Sequence, residues 1–317
     1  MRYLVVGLGN IGGRRRTLLG ARCVATADPY NASADYRSVE DVPLDSFDAA
    51  VLAIPNDAKP ALVEHLVGHG KHVLVEKPLP LADDATAARL ERSARERGVA
   101  LYTAYNHRFE PLIVRFKERM DEGAIGDVYH GRLFYGNGTV QHVKGSWRDQ
   151  GLSVVEDLGC HLFDLASYCF GGLGMEIVTV ALQREETDAS PDRALLVSRD
   201  GRVTFEMTYH AWRNTFALEL YGSRGSIHCL GLRKWGGSEL IVRERVFPSG
   251  RPHETRETDA GDDVTWAREI AHFEHLCAAG TTDLGNDRWI ARTMRALEAR
   301  PVAESSHDAP WAWAAES

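Results

Sequence analysis

An N-terminal cluster of glycines constrains the fold of this chain more than any other segment. The short apolar run Tyr3–Val6 leads directly into Gly7-Leu8-Gly9-Asn10-Ile11-Gly12, and residues 11–19 can continue as a helix. A second apolar run, Cys23–Ala27, ends at Asp28, which lies 21 residues after Gly7. A strand, a glycine-rich turn, a helix, a second strand and an acidic residue in this order are typical of the first βαβ unit of a Rossmann fold.

Each glycine in such a loop meets a separate physical need. One allows a tight turn, one lets a pyrophosphate approach the backbone, and one lets the helix pack closely on the strand. The N-terminus of the helix then presents unbonded N–H groups to the phosphates. We therefore predict that a dinucleotide is bound by the loop residues Gly7, Gly9, Asn10, Ile11 and Gly12.

The acidic residue after the second strand bears on which dinucleotide is bound. A carboxylate at Asp28 would accept a hydrogen bond from the 2′-hydroxyl of the adenosine ribose and would repel a 2′-phosphate, which favours NAD over NADP. Arg14, Arg15 and Arg16 keep NADP open, because three arginines in the first helical turn oppose the helix dipole and suggest a nearby anion. A solvated arginine face explains them equally well, so the sequence leaves both explanations open.

The alternation of strand and helix continues through the N-terminal third of the chain. Strand-like runs at residues 49–54, 72–75 and 99–103 are separated by helical patterns at 58–67 and 83–97. This order predicts a parallel sheet with helices on both faces, which we place in an α/β Rossmann domain at residues 1–106. The interval from residue 28 to residue 48 is short, so we expect one edge of the sheet to lack a helix.

A change of pattern near Asn106 marks a second domain, which we place at residues 107–317. Strand-like runs follow one another here, and a single helical pattern, at 154–170, interrupts them. The strand-like runs lie at 128–135, 175–182, 194–198, 203–209, 215–221 and 226–230. Consecutive strands predict an α+β domain built on an open, mainly antiparallel sheet. Two late helical patterns, at 264–279 and 287–298, are candidates for packing back on the first domain. The outer face of an open sheet suits self-association, and we expect a homodimer or a homotetramer.

Composition narrows the class of partner. A formal net charge of −8 in 317 residues argues against nucleic acid or an anionic membrane as the main partner. No apolar run approaches the roughly 20 residues that span a bilayer. Five scattered cysteines without a CxxC pair favour free thiols in a reducing compartment, so we expect a cytoplasmic protein. His65 and His69 have the spacing of metal ligands, but no third ligand is suggested near them, and we expect no metal site.

The most specific stretch of the chain runs from Gly70 to Leu79 and contains Glu76-Lys77-Pro78. It resembles the glucose–fructose oxidoreductase / inositol dehydrogenase / MocA family of NAD(P)-dependent sugar and cyclitol dehydrogenases, whose members carry an EKP motif at the end of this strand. The resemblance covers most of the chain. The further segments that carry it are Ala53-Ile54-Pro55-Asn56, Tyr105-Asn106-His107-Arg108-Phe109, Gly126-Asp127-Val128, Trp147-Arg148-Asp149 and Asp157-Leu158-Gly159-Cys160-His161.

The resemblance implies hydride transfer between a nicotinamide and a CH–OH or C=O group of a polyhydroxylated small molecule held between the two domains. The substrate would be a sugar, a nucleotide sugar, an amino sugar or a cyclitol. The implied catalytic residues are Lys77, Asp157 and His161. The implied cofactor residues, beyond the glycine loop and Asp28, are Ala53, Ile54, Pro55, Asn56, Glu76, Lys77 and Asn106. The implied substrate residues are Arg108, Trp147, Arg148, Asp157 and His161.

The residue types at the catalytic positions suit that chemistry. Lys77 follows a predicted strand at the edge where open α/β sheets bind ligands, and its charge can stabilise a developing alkoxide. Asp157 and His161 are four residues apart on a predicted helix and share a face, and Asp164 continues that stripe. An aspartate can fix the tautomer of a histidine that exchanges a proton near neutral pH. A lone pair at this spacing is more often a surface interaction, so the assignment depends on the resemblance.

Some features depart from the family or leave other functions open. The family commonly has consecutive glycines before the helix with Asp157, where this chain has only Gly151, and Lys59 stands where the family often has a histidine. Two other functions stay open: a glycosidase of the same fold that uses bound NAD transiently, and a non-enzymatic NAD-sensing regulator. We expect the tryptophans outside the implied site to be packing residues. They are Trp212, Trp235, Trp266 and Trp289.

Overall fold

The computed structural model describes residues 1–304, which form two compact units. The first unit comprises Met1–Lys117, Phe163–Gly174 and Gly261–Arg292. The second comprises Glu118–Leu162, Met175–Ala260 and the described residues from Thr293. The domain boundary at residue 106 stays a prediction. The first unit also contains the helix predicted at 264–279.

The first unit is built on a parallel sheet of five strands in the order β2-β1-β3-β4-β5. The strands are β1 (Tyr3–Val6), β2 (Cys23–Ala27), β3 (Ala49–Leu52), β4 (His72–Glu76) and β5 (Leu101–Ala104). The α-helices of the whole described chain are α1 (Asn10–Leu19), α2 (Lys59–Gly68), α3 (Asp84–Arg97), α4 (Pro111–Asp121), α5 (Val140–Val143), α6 (Cys160–Phe170), α7 (Thr265–Ala279) and α8 (Gly285–Glu298). The predicted Rossmann sheet is confirmed.

Both faces of this sheet are buried, as its continuous apolar strands require. Successive residues of β1 point to opposite faces. Leu4 and Val6 join one core cluster, and Tyr3 and Val5 join another that also contains Phe273 of α7. Helix α7 therefore covers one face of the parallel sheet within the first unit.

The edge at β2 lacks a covering helix, as expected. Between β2 and β3 the described chain forms only a short 3₁₀ turn, Leu44–Ser46, and one parallel bridge from Ala27 to Tyr36. Two carboxylates hold this segment to β2. Asp35 accepts hydrogen bonds from the Thr26 N–H and hydroxyl, and Asp28 is described below with the site.

The second unit is built on a sheet of nine strands in the order β13-β12-β11-β10-β6-β9-β8-β7-β14. All neighbours are antiparallel except β6 with β9 and β7 with β14, so the predicted mainly antiparallel sheet is confirmed. The strands are β6 (Val128–Gly136), β7 (Ile177–Arg184), β8 (Arg193–Ser198), β9 (Val203–Thr208), β10 (Thr215–Gly222), β11 (Gly225–Leu232), β12 (Gly237–Glu244), β13 (His253–Asp259) and β14 (Ala303–Glu304).

The sequence analysis missed the three strands β12, β13 and β14. Strand β13, His-Glu-Thr-Arg-Glu-Thr-Asp, is polar at every position and largely exposed, so it has no alternation of apolar and polar residues to reveal it. It is fixed instead by backbone pairing to β12 and by ion pairs such as Arg243 with Glu254. Pairing with a neighbour, not hydrophobic periodicity, makes this segment a strand.

Candidate active site

The glycine loop has a distinct requirement at each of its three glycines. Gly7 has φ +83°, and a Cβ there would lie 2.3 Å from the Ala53 carbonyl oxygen. A Cβ at Gly12 would lie 1.7 Å from the Gly7 carbonyl oxygen, because α1 packs directly on the turn. At Gly9, by contrast, a Cβ would meet nothing within 4 Å. The loop thus keeps open space at its central glycine. The other two positions are closed by backbone atoms, those of Ala53 at Gly7 and those of Gly7 at Gly12.

The open side of this loop fits a dinucleotide phosphate. Gly9 is the N-cap of α1 and offers no side chain to the first N–H groups of the helix, and the first turn contains no acidic residue. Those N–H groups and the positive end of the helix dipole favour an anion. A cavity of about 710 Å³ opens here, with Gly9 and Asn10 in its lining.

Asp28 is bound to the glycine loop and to its own turn. Its Oδ2 accepts a hydrogen bond from the Leu8 N–H at 2.7 Å, and its Oδ1 accepts bonds from Tyr30 and Asn31 at 2.8 and 2.9 Å. Burial alone would raise the pKa of Asp28, but the three backbone N–H bonds outweigh burial and hold the pKa below its usual value. A carboxylate has about four acceptor positions, so about one is left for a ribose hydroxyl.

The sequence left two explanations for Arg15 open, a nearby anion and a solvated arginine face. In the structure Arg15 is buried and its partners are carboxylates of the protein. It is 1% exposed and its guanidinium donates to Glu76 Oε1 and Glu269 Oε2, each at 2.6 Å. The Trp266 ring lies over it, 4.3 Å from the guanidinium carbon. Arg14 and Arg16 are exposed. Spacing along α1 could not reveal this, because both carboxylates come from distant segments.

Glu269 is the carboxylate most altered by this network. It is fully buried, and burial raises its pKa to about 7, although the charge of Arg15 works in the other direction. Glu76, which shares Arg15, adds to the rise. Arg15 therefore ties three elements of the first unit together: α1 after the glycine loop, the end of β4, and α7.

The predicted cofactor and catalytic segments after β3 and β4 are neighbours. Residues Leu52 and Val75 are paired across these parallel strands, so Ala53-Ile54-Pro55-Asn56 and Glu76-Lys77-Pro78 leave the sheet side by side at its carboxyl edge. Lys77 is half-buried, and the Lys77–Pro78 peptide bond is cis. The functional roles of these residues stay predictions.

Asn106 and Arg108, also predicted for the site, have partners within the first unit. The Asn106 side chain donates to Thr265 Oγ1 at 2.9 Å. Arg108 forms an ion pair with Asp164, and its Nε lies 2.9 Å from both carboxylate oxygens. Asn286 also donates to Asp164, at 2.8 Å. The predicted substrate role of Arg108 thus has to coexist with this ion pair.

The segment that carries Asp157 differs from the regular helix that was predicted. Residues Val155–Gly159 form a π-helical turn, and the α-helix α6 begins only at Cys160. A π-turn contains an extra residue, so Asp157 is not related to residues of α6 by ordinary α-helical spacing. Asp164, which was predicted to continue the stripe of Asp157 and His161, is fully buried against Arg108. Such turns are frequent at functional sites.

Asp157 and His161 occupy different surroundings in the second unit. Asp157 is 27% exposed and accepts a hydrogen bond from Arg148. His161 is 5% exposed, and its ring centroid lies 6.0 Å from that of Tyr135. Tyr209 is fully buried; burial, and then the charge of Asp157, raise the pKa of its hydroxyl. Arg148, which the sequence offered equally as a substrate contact or an ion-pair partner, forms the ion pair.

Two exposed tryptophans belong to the second unit. Trp147 is 65% exposed, and its substrate role stays a prediction. Trp212 is 68% exposed, so the expectation that it packs in a core was wrong. It has φ +55° and lies between β9 and β10. Trp289, in contrast, is 4% exposed and packs as expected.

Comparison with known proteins decides the family. Residues 1–105 match the family described as "Oxidoreductase family, NAD-binding Rossmann fold", and residues 113–228 match the GFO/IDH/MocA C-terminal domain. The chain belongs to the GFO/IDH/MocA family of oxidoreductases. It is an NAD(P)-dependent oxidoreductase whose first domain is an NAD-binding Rossmann domain.

One curated relative and two solved structures of similar fold illustrate the likeness. The scyllo-inositol 2-dehydrogenase (NAD(+)) of Bacillus subtilis is 28% identical over 329 residues, which cover 90% of this chain and 89% of that protein. A 3-ketoreductase from Actinomadura kijaniata, solved in an open conformation with TDP-benzene and NADP, aligns with a TM-score of 0.73 at 20% identity and covers 93% of this chain and 96% of that one. GenD2 from gentamicin A biosynthesis, solved with NAD, aligns with a TM-score of 0.74 at 20% identity and covers 93% and 92%.

Sequence reasoning on this oxidoreductase missed two buried basic residues, Arg15 and Lys59. The only signal for Arg15 was its place in an arginine run, and the only signal for Lys59 was its departure from the family's usual histidine. In the described part of the chain, no helix is long and apolar enough to cross a membrane. Residues 1–304 also contain no group of three side chains arranged to hold a metal ion.

Proposed function

We propose that this enzyme transfers a hydride between the nicotinamide of NAD(P) and a CH–OH or C=O group of a sugar, nucleotide sugar, amino sugar or cyclitol. The observation that carries the proposal is the place of Lys77. It follows β4 at the carboxyl edge of the Rossmann sheet, beside the loop after β3 and on the same edge as the glycine loop. Open α/β sheets bind their ligands at this edge.

The bound nicotinamide supplies the acceptor or donor of the hydride. In the oxidative direction His161 takes the hydroxyl proton as the carbinol carbon loses its hydride, which leaves a carbonyl group. The Lys77 ammonium stabilises negative charge that develops on the oxygen. Asp157 supports His161, and the ion pair with Arg148 holds one oxygen of the Asp157 carboxylate. The reverse sequence reduces a carbonyl.

The family and the names of its members support the proposed substrate class. A cyclitol is favoured by the inositol dehydrogenase of Bacillus subtilis, and a nucleotide sugar by the ketoreductase solved with TDP-benzene. Asp28 favours NAD as the cofactor, because a carboxylate beside the adenosine ribose repels a 2′-phosphate. NADP is the second candidate.

We propose a homodimer or homotetramer assembled through the outer face of the large sheet. Ion pairs cover that face, among them Arg193 with Glu206 and Arg243 with Glu254. Paired charges of both signs suit a self-complementary contact between two copies. Light scattering during gel filtration gives the mass that tests this. The cytoplasm is the proposed compartment, because all five cysteines are free thiols.

A screen of NAD(P) reduction tests the proposed function. Sugars, nucleotide sugars, amino sugars and cyclitols are each supplied with NAD and with NADP, and NAD(P)H is measured by absorbance. We expect one class to reduce NAD, and the Lys77→Met variant to bind NAD but to lose that turnover. The NAD-dependent glycosidase would be supported instead if NAD co-purifies with the protein, is not reduced overall, and the protein cleaves a glycoside. Turnover that survives in Lys77→Met would contradict the proposed mechanism.

A further inference from the structure

A lysine is buried beneath the segment that carries Lys77. Lys59 is the first residue of α2 and is 1% exposed. Its Nζ donates to the backbone carbonyl oxygens of Glu76 at 2.6 Å, Lys77 at 3.2 Å and Pro78 at 2.8 Å. It also donates to the Asn56 side-chain oxygen at 2.8 Å. One ammonium group therefore joins the loop after β3 to three consecutive peptides after β4.

Burial of a lysine ammonium group costs free energy of folding unless hydrogen bonds replace its hydration. Lysine is almost never fully buried unless it is paired, because a charge loses its hydration there. An ammonium group carries three N–H donors on one atom, so it suits oxygens that converge on a point, and here four oxygens share the three hydrogens. Three successive carbonyls turned towards one atom also define the path of the backbone at Lys77.

Another lysine of the same sheet shows what an ordinary contact looks like. Lys71, at the amino end of β4, donates to a single carbonyl oxygen, that of Phe47, at 3.0 Å. Its Nζ lies 5.1 Å from the centre of the Phe47 ring, and its side chain is only half-buried. Lys71 thus donates to the carbonyl oxygen of one residue, whereas Lys59 donates to the carbonyl oxygens of three consecutive residues.

We propose that Lys59 is a positioning residue that fixes the Lys77 backbone and the Asn56 side chain relative to each other. This inference rests on the proposed function, in which Lys77 acts on the substrate oxygen and Asn56 lies against the cofactor. Lys59 does not touch the reacting atoms and acts through Lys77. A methionine there is unbranched like lysine and one atom shorter, and it leaves the three carbonyls without their shared donor. The Glu76–Pro78 turn then loses its fixed path.

The first test needs no substrate. Acetic anhydride labels the Lys77 amine in the NAD-loaded protein, and mass spectrometry measures its rate relative to that of Lys71 in the same sample. We expect Lys59→Met to change the labelling of Lys77 severalfold, while Lys71 labels as in the parent protein. The matched variant Lys71→Met, in which the exposed Lys144 serves as the reference, should leave the labelling of Lys77 unchanged. Equal labelling of Lys77 in Lys59→Met and the parent would overturn the proposal.

The second test separates positioning from general loss of structure. With the substrate given by the screen, Lys59→Met should lower kcat about 10- to 100-fold, because small displacements of a catalytic group cost this much, while KM changes little. In a Lys77→Met background it should add no further loss, since two residues that act as one unit are not additive. A full additional loss in that background would overturn the proposal. If Lys59→Met does not fold, Lys59→Gln is measured in the same way.

The two proposals fail differently. If Lys77→Met keeps its turnover, the proposed role of Lys77 is wrong whatever Lys59 does. If Lys77→Met loses turnover but folded Lys59→Met keeps both the parent kcat and the parent labelling, only the positioning role is wrong.

Discussion

The turns at the carboxyl edge of the Rossmann sheet and the segment of Asp157 and His161 carry the two halves of the proposed chemistry, but different forces hold them. The turns are held at their backbone groups: Gly12 packs on the Gly7 carbonyl, and the Lys59 side chain donates to three consecutive carbonyl oxygens. The segment of Asp157 and His161 is held by side chains, with Arg148 on Asp157 and Tyr135 near His161. A substitution at Gly12 or Lys59 therefore disturbs the backbone of the turns, whereas a substitution at Arg148 removes one side-chain contact of Asp157.

The largest expected effect tests whether the second half is catalytic at all. His161→Asn keeps a polar side chain of similar size but cannot exchange a proton near neutral pH, so we expect kcat to fall about 10²- to 10⁴-fold. NADH binding, followed by fluorescence, should match the parent, because the predicted cofactor residues lie in the first unit. Turnover close to that of the parent would show that only the half with Lys77 does chemistry.

The buried network under the Rossmann edge should make stability depend on pH. The pKa of Glu269 is raised by burial from 4.5 to about 7. Between pH 4.5 and 7 the carboxyl group of Glu269 is therefore protonated in the folded protein and ionised in the unfolded chain. The stabilisation that Glu269 contributes is complete below about pH 4.5 and is lost as the pH rises through 7. A shift of this size corresponds to about 3 kcal/mol.

Urea unfolding of Glu269→Gln from pH 4.5 to 8 measures that contribution. The variant should lose less stability than the parent as the pH rises, because glutamine does not titrate. Part of the dependence should remain, since burial also raises the pKa of Asp287 to about 7. Identical pH profiles for the variant and the parent would contradict the assignment of this proton to Glu269.

Two neighbouring glycines of α1 test the backbone support directly. Gly12→Ala would place its Cβ 1.7 Å from the Gly7 carbonyl oxygen, and we expect a loss of about 1–3 kcal/mol of unfolding free energy together with weaker NAD binding. Gly13→Ala meets nothing within 4 Å and should stabilise the helix by about 0.5–1 kcal/mol. Denaturant titration of both variants compares them. Equal changes in the unfolding free energies of the two variants would mean that the contact between Gly12 and the Gly7 carbonyl is relaxed in solution.

The smallest expected effect concerns the side-chain support of Asp157. Arg148 and Asp157 are 31% and 27% exposed, and partly exposed ion pairs contribute less than about 1 kcal/mol. Arg148→Met should thus leave the unfolding free energy nearly unchanged, while the pH dependence of kcat shifts because Asp157 loses its partner. Thermal unfolding and a pH–rate profile measure the two quantities. An unchanged profile would show that Arg148 does not act through Asp157.

Sequence reasoning was accurate where the backbone decides the structure. The parallel sheet and the bare edge at β2 follow from local geometry and alternation, and the structure has both. The tight backbone contacts of Gly7 and Gly12 and the open space at Gly9 agree with the predicted turn, while its binding role stays a prediction. It failed where distant side chains decide. Arg15 finds its carboxylates 61 and 254 residues away.

Two further failures have the same origin. The π-turn Val155–Gly159 has no periodicity of its own to separate it from the helix that follows. Strand β13 forms by pairing to β12 and has no apolar face. Both segments lie against another part of the chain, β13 against β12 and the π-turn against β9.

The bonds of Asp28 have a consequence for anyone who would redesign the cofactor preference. The familiar exchange of such an aspartate for a small neutral residue would here also release the N–H groups of Leu8, Tyr30 and Asn31, and so loosen the glycine loop itself. Tyr30 is 95% exposed and adjacent, and it can take a new cationic side chain at little structural cost. In this scaffold, a change of cofactor is better engineered by addition at residue 30 than by removal at residue 28.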